Sequence, residues 1–69
     1  MEYIFVRFKP TEVRDVLAYG QPIGKTETTL TLPPGYYEIS LSGDGYTPES
    51  WDGVIANTAA DNPLLIIFH

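Results

Sequence analysis

Between Pro33-Pro34-Gly35 and Gly43-Asp44-Gly45 the chain has room for only seven residues, and those seven alternate. Tyr37, Ile39 and Leu41 fall on one side of an extended segment, and Tyr36, Glu38 and Ser40 on the other. Successive side chains of a strand point to opposite faces, so this period of two marks a strand with one face against a core. Proline and glycine clusters at both ends supply preset bends and positive φ, which is the chemistry of turns.

The same grammar recurs along the chain. Residues 2–9 alternate, with Ile4, Val6 and Phe8 on one side and Tyr3, Phe5, Arg7 and Lys9 on the other, and Pro10 ends the run because it has no N–H for a ladder. A second strand is predicted at 13–19, with Val16 and Ala18 inward. Val13, Val16 and Leu17 also fit one or two helical turns capped by Thr11. Gly20-Gln21-Pro22-Ile23-Gly24 reads as a hairpin turn, and "TETTLTL" at 26–32 as a half-buried, β-branched strand with Leu30 and Leu32 inward. Pro33-Pro34-Gly35 then reads as a turn between two antiparallel strands. Beyond Tyr46, which is placed to lay its ring over the sheet end, Trp51, Val54 and Ile55 suggest a strand at 50–56. The five apolar residues Leu64–Phe68 suit a strand buried on both faces, or one whose second face meets something else.

Short strands divided by glycine and proline, with no long helix, predict an all-β fold. The expected form is a small immunoglobulin-like or prealbumin-like β-sandwich of six or seven short antiparallel strands. The 69 residues are expected to form one domain spanning 1–69. A domain this small removes only about 60% of its unfolded surface from water, so a staple is expected. There is no cysteine and only one histidine, His69, which excludes a disulfide and a structural zinc. Association with another chain is the staple that remains.

"VLAYGQPIGKTETTLTLPPGYYEISLSGDGY", Val16 to Tyr46, resembles the PEGA family of small β-sandwich domains. The resemblance rests on Gly20, Gly24, Thr26, Leu30, Leu32, Pro34, Gly35, Gly45 and Tyr46, and it extends over roughly residues 5–56. Tyr19 stands where the family pattern has a hairpin aspartate, and Glu27 where a proline commonly follows the threonine. The resemblance implies an accessory or adhesion module, with no catalytic residues and no cofactor to carry over.

Composition points the same way. The net charge of −5 opposes binding to nucleic acid or anionic membranes. "MEYIFVRFK" lacks the basic start and the long apolar run of a signal peptide, so a cytoplasmic location is expected, or export if a leader has been removed. No run is long enough for membrane insertion. Nucleophilic catalysis requires a base beside the nucleophile, and the only imidazole lies at the C-terminal position. Asp44, Glu49 and Asp52 are the best carboxylates for acid/base work, and Asp61 would have to join them to hold calcium, but they read more simply as turn formers and solvated acids. No enzyme, cofactor or metal is therefore expected. The candidate binding surface consists of aromatics, Tyr3, Phe5, Tyr36, Tyr46 and Trp51, of which Tyr46 and Trp51 read more simply as rings that cap the ends of the core. It serves protein contact or self-association, with a homodimer expected through the two-sided terminal strands, or alternatively carbohydrate binding on exposed rings.

Overall fold

The computed structural model describes all residues, Met1–His69. Seven strands form: β1 (Glu2–Arg7), β2 (Asp15–Ala18), β3 (Gln21–Lys25), β4 (Thr29–Leu32), β5 (Gly35–Leu41), β6 (Trp51–Ile55) and β7 (Leu64–Ile67). They make two sheets, one of three strands in the order β4-β1-β7 and one of four in the order β3-β2-β5-β6. The residues weighed as helical, 11–19, hold β2 instead, because Val16 is needed in the sheet, paired with Gly24 and Leu41.

The inward positions of both sheets close on each other. Ile4, Val6, Phe8, Val16, Leu32, Ile39, Leu41, Ile55, Ile66 and Phe68 form one core, each buried. Val16, Ile39 and Leu41 lie on the predicted inner faces of their strands, and Leu30, Tyr37 and Ala18 pack at the margin of the core. Burial of these side chains is worth roughly 1.5–3 kcal/mol apiece, and a ten-residue core has little to spare against chain entropy.

Three expectations are corrected. The β2–β3 hairpin turns at Tyr19-Gly20 rather than over Gly20–Gly24; most of the supposed turn is β3 itself, with Pro22 tolerated because β3 is an edge strand. The glycines at 20 and 24 gave the turn signal, but the backbone bends where φ is positive at two successive residues, Tyr19 (+50°) and Gly20 (+79°). That is the pattern of a two-residue hairpin turn whose twist matches the flanking strands. Pro33-Pro34 is not a hairpin turn either. β4 pairs with β1 and β5 with β2 and β6, so the prolines carry the chain from one sheet to the other. Lastly, β7 runs parallel to β1, with Phe5 beside Leu65 and Val6 beside Ile66, so one pairing of the sandwich departs from the all-antiparallel expectation.

The chain changes sheets again between β3 and β4, and two residues secure that crossing. Thr26 is buried; its N–H donates to the Arg14 carbonyl at 2.9 Å and its Oγ1 accepts from the Arg14 N–H at 3.0 Å. Glu27 next door donates its N–H to the Val6 carbonyl at 2.9 Å and accepts the Phe8 N–H on Oε1 at 3.2 Å. With φ at +63° and its N–H in use, Glu27 occupies a backbone that proline is unable to adopt.

The Tyr19-Gly20 turn is directly testable. Gly20→Ala places a Cβ at positive φ and is expected to cost about 1 kcal/mol, or roughly 4–8 °C of melting temperature in a domain of this size. Tyr19→Asn, which suits positive φ better, is expected to hold or raise the melting temperature. Thermal melts of the two variants check this, and a loss in Tyr19→Asn matching that in Gly20→Ala would contradict the turn assignment.

Candidate interaction face

The five aromatics singled out in the sequence lie on different parts of the sandwich. Tyr46 and Trp51 are committed to the fold. The Tyr46 ring meets Phe68 edge-on with centroids 5.5 Å apart and Phe8 at 6.4 Å. Its hydroxyl donates to the Leu41 carbonyl at 2.9 Å and accepts the Leu41 N–H at 3.2 Å. One ring therefore ties the ends of β1, β5 and β7, in the manner of the tyrosine corners of other sandwiches. Trp51 shares the inner face of β6 with Gly53 and Ile55, and its indole lies so close over Gly53 that a Cβ there would sit 3.0 Å from the ring. A glycine in a strand interior leaves a gap, and here the neighbouring indole fills it against the core.

Tyr36 points outward from the four-stranded sheet, 59% exposed, opposite Val54 at 67%. Its carbonyl accepts the Tyr19 hydroxyl at 2.9 Å. Tyr3 and Phe5 point outward from the other sheet. The flat platform combining Tyr3, Tyr36, Tyr46 and Trp51 is therefore not assembled, because two rings turn inward and the other two lie on opposite outer faces.

Phe5 has the more telling company. Across the parallel pairing it lies beside Leu65, and Arg7 beside Ile67, while Thr29 and Thr31 flank Phe5 and Tyr3 on the β4 side. Leu65 and Ile67 are 46% and 44% exposed. The Arg7 guanidinium stands 5.8 Å from the centre of the Phe5 ring. The outward positions of the three strands thus read Tyr3, Phe5, Arg7, Thr29, Thr31, Leu65 and Ile67, an apolar strip with one cation and no carboxylate. Tyr3, Phe5 and the two-sided apolar run at 64–68 are visible in the sequence. The sequence does not place Leu65 next to Phe5, because that depends on the parallel register.

The acidic residues do not converge. Asp44 and Glu49 line a shallow open recess of about 410 Å³ with Gly43, Gly45 and Tyr46. Asp52 is on the outer face of β6 and Asp61 in the β6–β7 connection, and no three potential metal-ligating side chains come together. A second recess, of about 390 Å³, is lined by Glu12, Arg14, Asp15, Lys25 and the 42–44 turn. Four of its charges are paired, Arg14 with Glu12 and Lys25 with Asp15. Arg14 also donates to the carbonyls of Ser42 at 3.1 Å and Asp44 at 2.6 Å, and stacks 4.9 Å from the Phe8 ring centre.

Two carboxyls are held below their usual range by hydrogen bonds. Glu2 accepts from the Thr58 N–H at 2.9 Å and the Thr58 hydroxyl at 2.7 Å, which lowers its pKa. Glu12 is lowered by its hydrogen bond and charge pairing with Arg14. Both interactions fasten loops, Glu2 the β6–β7 connection and Glu12 the entry to β2. His69 is exposed, and its backbone pairs with Thr47 through two hydrogen bonds of 2.7 Å.

A small two-sheet sandwich tied by a tyrosine at its end defines the class: a compact all-β domain. Residues 9–52 match the family model described as the PEGA domain, and the chain belongs to that family. No curated protein and no solved structure matches the chain. No helix is long and apolar enough to cross a membrane.

Trp51 separates a ring that supports the fold from one that binds ligand. Trp51→Ala is expected to cost about 2 kcal/mol, somewhat under the usual range for a fully buried tryptophan because the ring is only partly covered. Its fluorescence is expected to stay constant on titration with polysaccharides. A saturable shift in the wild type, with Trp51→Ala folding at full stability, would contradict the packing role.

Proposed function

We propose that the chain is a non-enzymatic module that works by protein contact, in a structural or adaptor role, and that the outer face of the three-stranded sheet is its contact surface. The observation that carries this reading is the side-by-side exposure of Leu65 and Ile67 next to Phe5 and Tyr3 on a face without a carboxylate. Isolated exposed apolar residues are ordinary, but a contiguous strip of them on a flat sheet is the usual mark of an interface.

The partner proposed for this face is a second copy of the chain. At a net charge of −5 two copies repel, and a face bearing only Arg7 is where that repulsion is least. Two such sheets stack about 10 Å apart with side chains interdigitating, as they do inside a sandwich. A two-fold axis then presents the same residues from each copy. The small, disulfide-free core gains stability from any such burial, since association adds to folding by mass action. The carbohydrate reading has less to stand on, because the exposed rings share no common face.

Sedimentation over a dilution series tests the proposal. A dimer mass is expected in the micromolar range, and Leu65→Thr combined with Ile67→Thr, which puts a polar β-branched strand former at each position, is expected to give a folded monomer. A monomer at every concentration in both proteins would overturn it.

A further inference from the structure

A sandwich has four sheet edges, here β3, β4, β6 and β7, and three of them are closed or blunted. β3 carries Pro22, Lys25 and a bulge opposite Val16-Leu17, and β4 faces it across the seam, with the Leu30 side chain seated where a Cβ on Gly24 would lie. β4 is four residues long and runs straight into Pro33-Pro34. The end of β7 is continued by Phe68, whose N–H reaches the Arg7 carbonyl, and by His69, paired with Thr47 on its open side. β6 has none of these devices. It is five residues, Trp51–Ile55, without proline, lysine or bulge.

The hydrogen-bond parity shows which groups β6 leaves open. The Glu38 carbonyl accepts from Tyr19 and the Ser42 N–H donates to Asp15, so the even-numbered residues of β5 turn their backbones toward β2. The odd ones face β6, where Gly35, Tyr37 and Ile39 pair with Ile55, Gly53 and Trp51. Asp52 and Val54 therefore direct their N–H and C=O groups away from the sheet, about 6.8 Å apart by strand geometry. Their side chains lie on the outer face in the same row. Asp52 stands directly opposite Glu38 and Val54 directly opposite Tyr36, all four exposed. Two carboxylates across a strand pair repel each other, and neither takes part in an ion pair within the chain.

We infer that the β6 edge receives an extended basic peptide segment, added as a fifth antiparallel strand. Such a strand bonds its backbone to Asp52 and Val54. The residue it sets opposite Asp52 lies next to two unpaired carboxylates, so it is lysine or arginine. The residue two positions earlier, opposite Val54, lies against Val54 and Tyr36 and is apolar. The residue between them turns to the inner side, over Gly53 and the rim of the Trp51 indole. The recognised pattern is apolar, any, basic, with main-chain bonds supplying affinity and the outer-face pair supplying selectivity. A second copy of β6 is disfavoured, because it brings a second set of carboxylates to the same row. This site is separate from the outer face of the three-stranded sheet, and substitutions at Leu65 and Ile67 do not touch it.

The test uses the whole chain and a seven-residue threonine peptide, acetylated and amidated, carrying valine and, two positions later, lysine. Amide NMR is expected to show saturable shifts confined to β6 and β5, with slowed hydrogen exchange at the Asp52 and Val54 N–H groups. Replacing the lysine by glutamate is expected to weaken binding about tenfold or more. Asp52→Asn with Glu38→Gln, both exposed and free of structural bonds, is expected to erase that preference. Methylating the peptide nitrogens of the valine and lysine is expected to abolish binding. The inference is overturned if no shifts occur at β6, if the methylated peptide binds equally well, if the lysine preference survives the double substitution, or if the Asp52 and Val54 amides are already as protected as Gly53 in the free protein.

Discussion

The Arg14 guanidinium is the contact on which the end of the sandwich depends. Its central carbon lies over the Phe8 ring and 5.8 Å from the Tyr46 ring centre, while its N–H groups hold Glu12 and the carbonyls of Ser42 and Asp44. A core of ten residues is too small to fix the loops at its ends by apolar burial alone. The guanidinium meets an aromatic surface and a carboxylate with one rigid group, which a lysine ammonium is not shaped to do. With Arg14 in place, Tyr46 is positioned to bond Leu41 and pack on Phe68, and the last strand is thereby tied to the first.

The opposite end uses a different device for the same task. Glu2 accepts two hydrogen bonds from Thr58, whose hydroxyl oxygen in turn accepts the Tyr3 N–H at 2.7 Å. The connection between β6 and β7 is thus held against the start of β1. At the Arg14 end, Thr26 bonds to Arg14 and Glu27 to Val6 and Phe8, so the β3–β4 crossing is held to both sheets. Glu2, Glu12, Arg14 and Glu27 are engaged in such ties, while Glu38 and Asp52 form no ion pair and lie on the outside with the Leu65 and Ile67 face and the β6 edge.

Much of the architecture could be read from the alternation, and the failures have specific causes. Ile39 and Leu41, Ile4 and Val6, and Leu32 were assigned to the core from period two alone. The hairpin turn was displaced because tyrosine does not advertise positive φ, while Gly24 is small for a different reason, the close approach of Leu30. Pro33-Pro34-Gly35 looks the same in sequence whether the next strand pairs with its predecessor or leaves for the other sheet. The parallel partnership of β1 and β7 joins residues some 60 positions apart, and nothing local encodes its direction. That pairing is what assembles the proposed contact face, so only half of the face is legible in the sequence. The core-capping roles of Tyr46 and Trp51 are legible in the sequence, Trp51 because Trp51, Gly53 and Ile55 fall on one side of a strand whose last member is plainly apolar. The role of Arg14 is not, because it depends on three loops meeting.

The proposed self-association requires that the outer face of the three-stranded sheet be covered in solution. Relaxation of side-chain methyls by a dissolved paramagnetic agent reads this residue by residue as protein concentration is raised. The Leu65 and Ile67 methyls should become progressively shielded, while those of Val13, 57% exposed on the β1–β2 connection, remain fully accessible. Equal and concentration-independent accessibility at all three positions would contradict it.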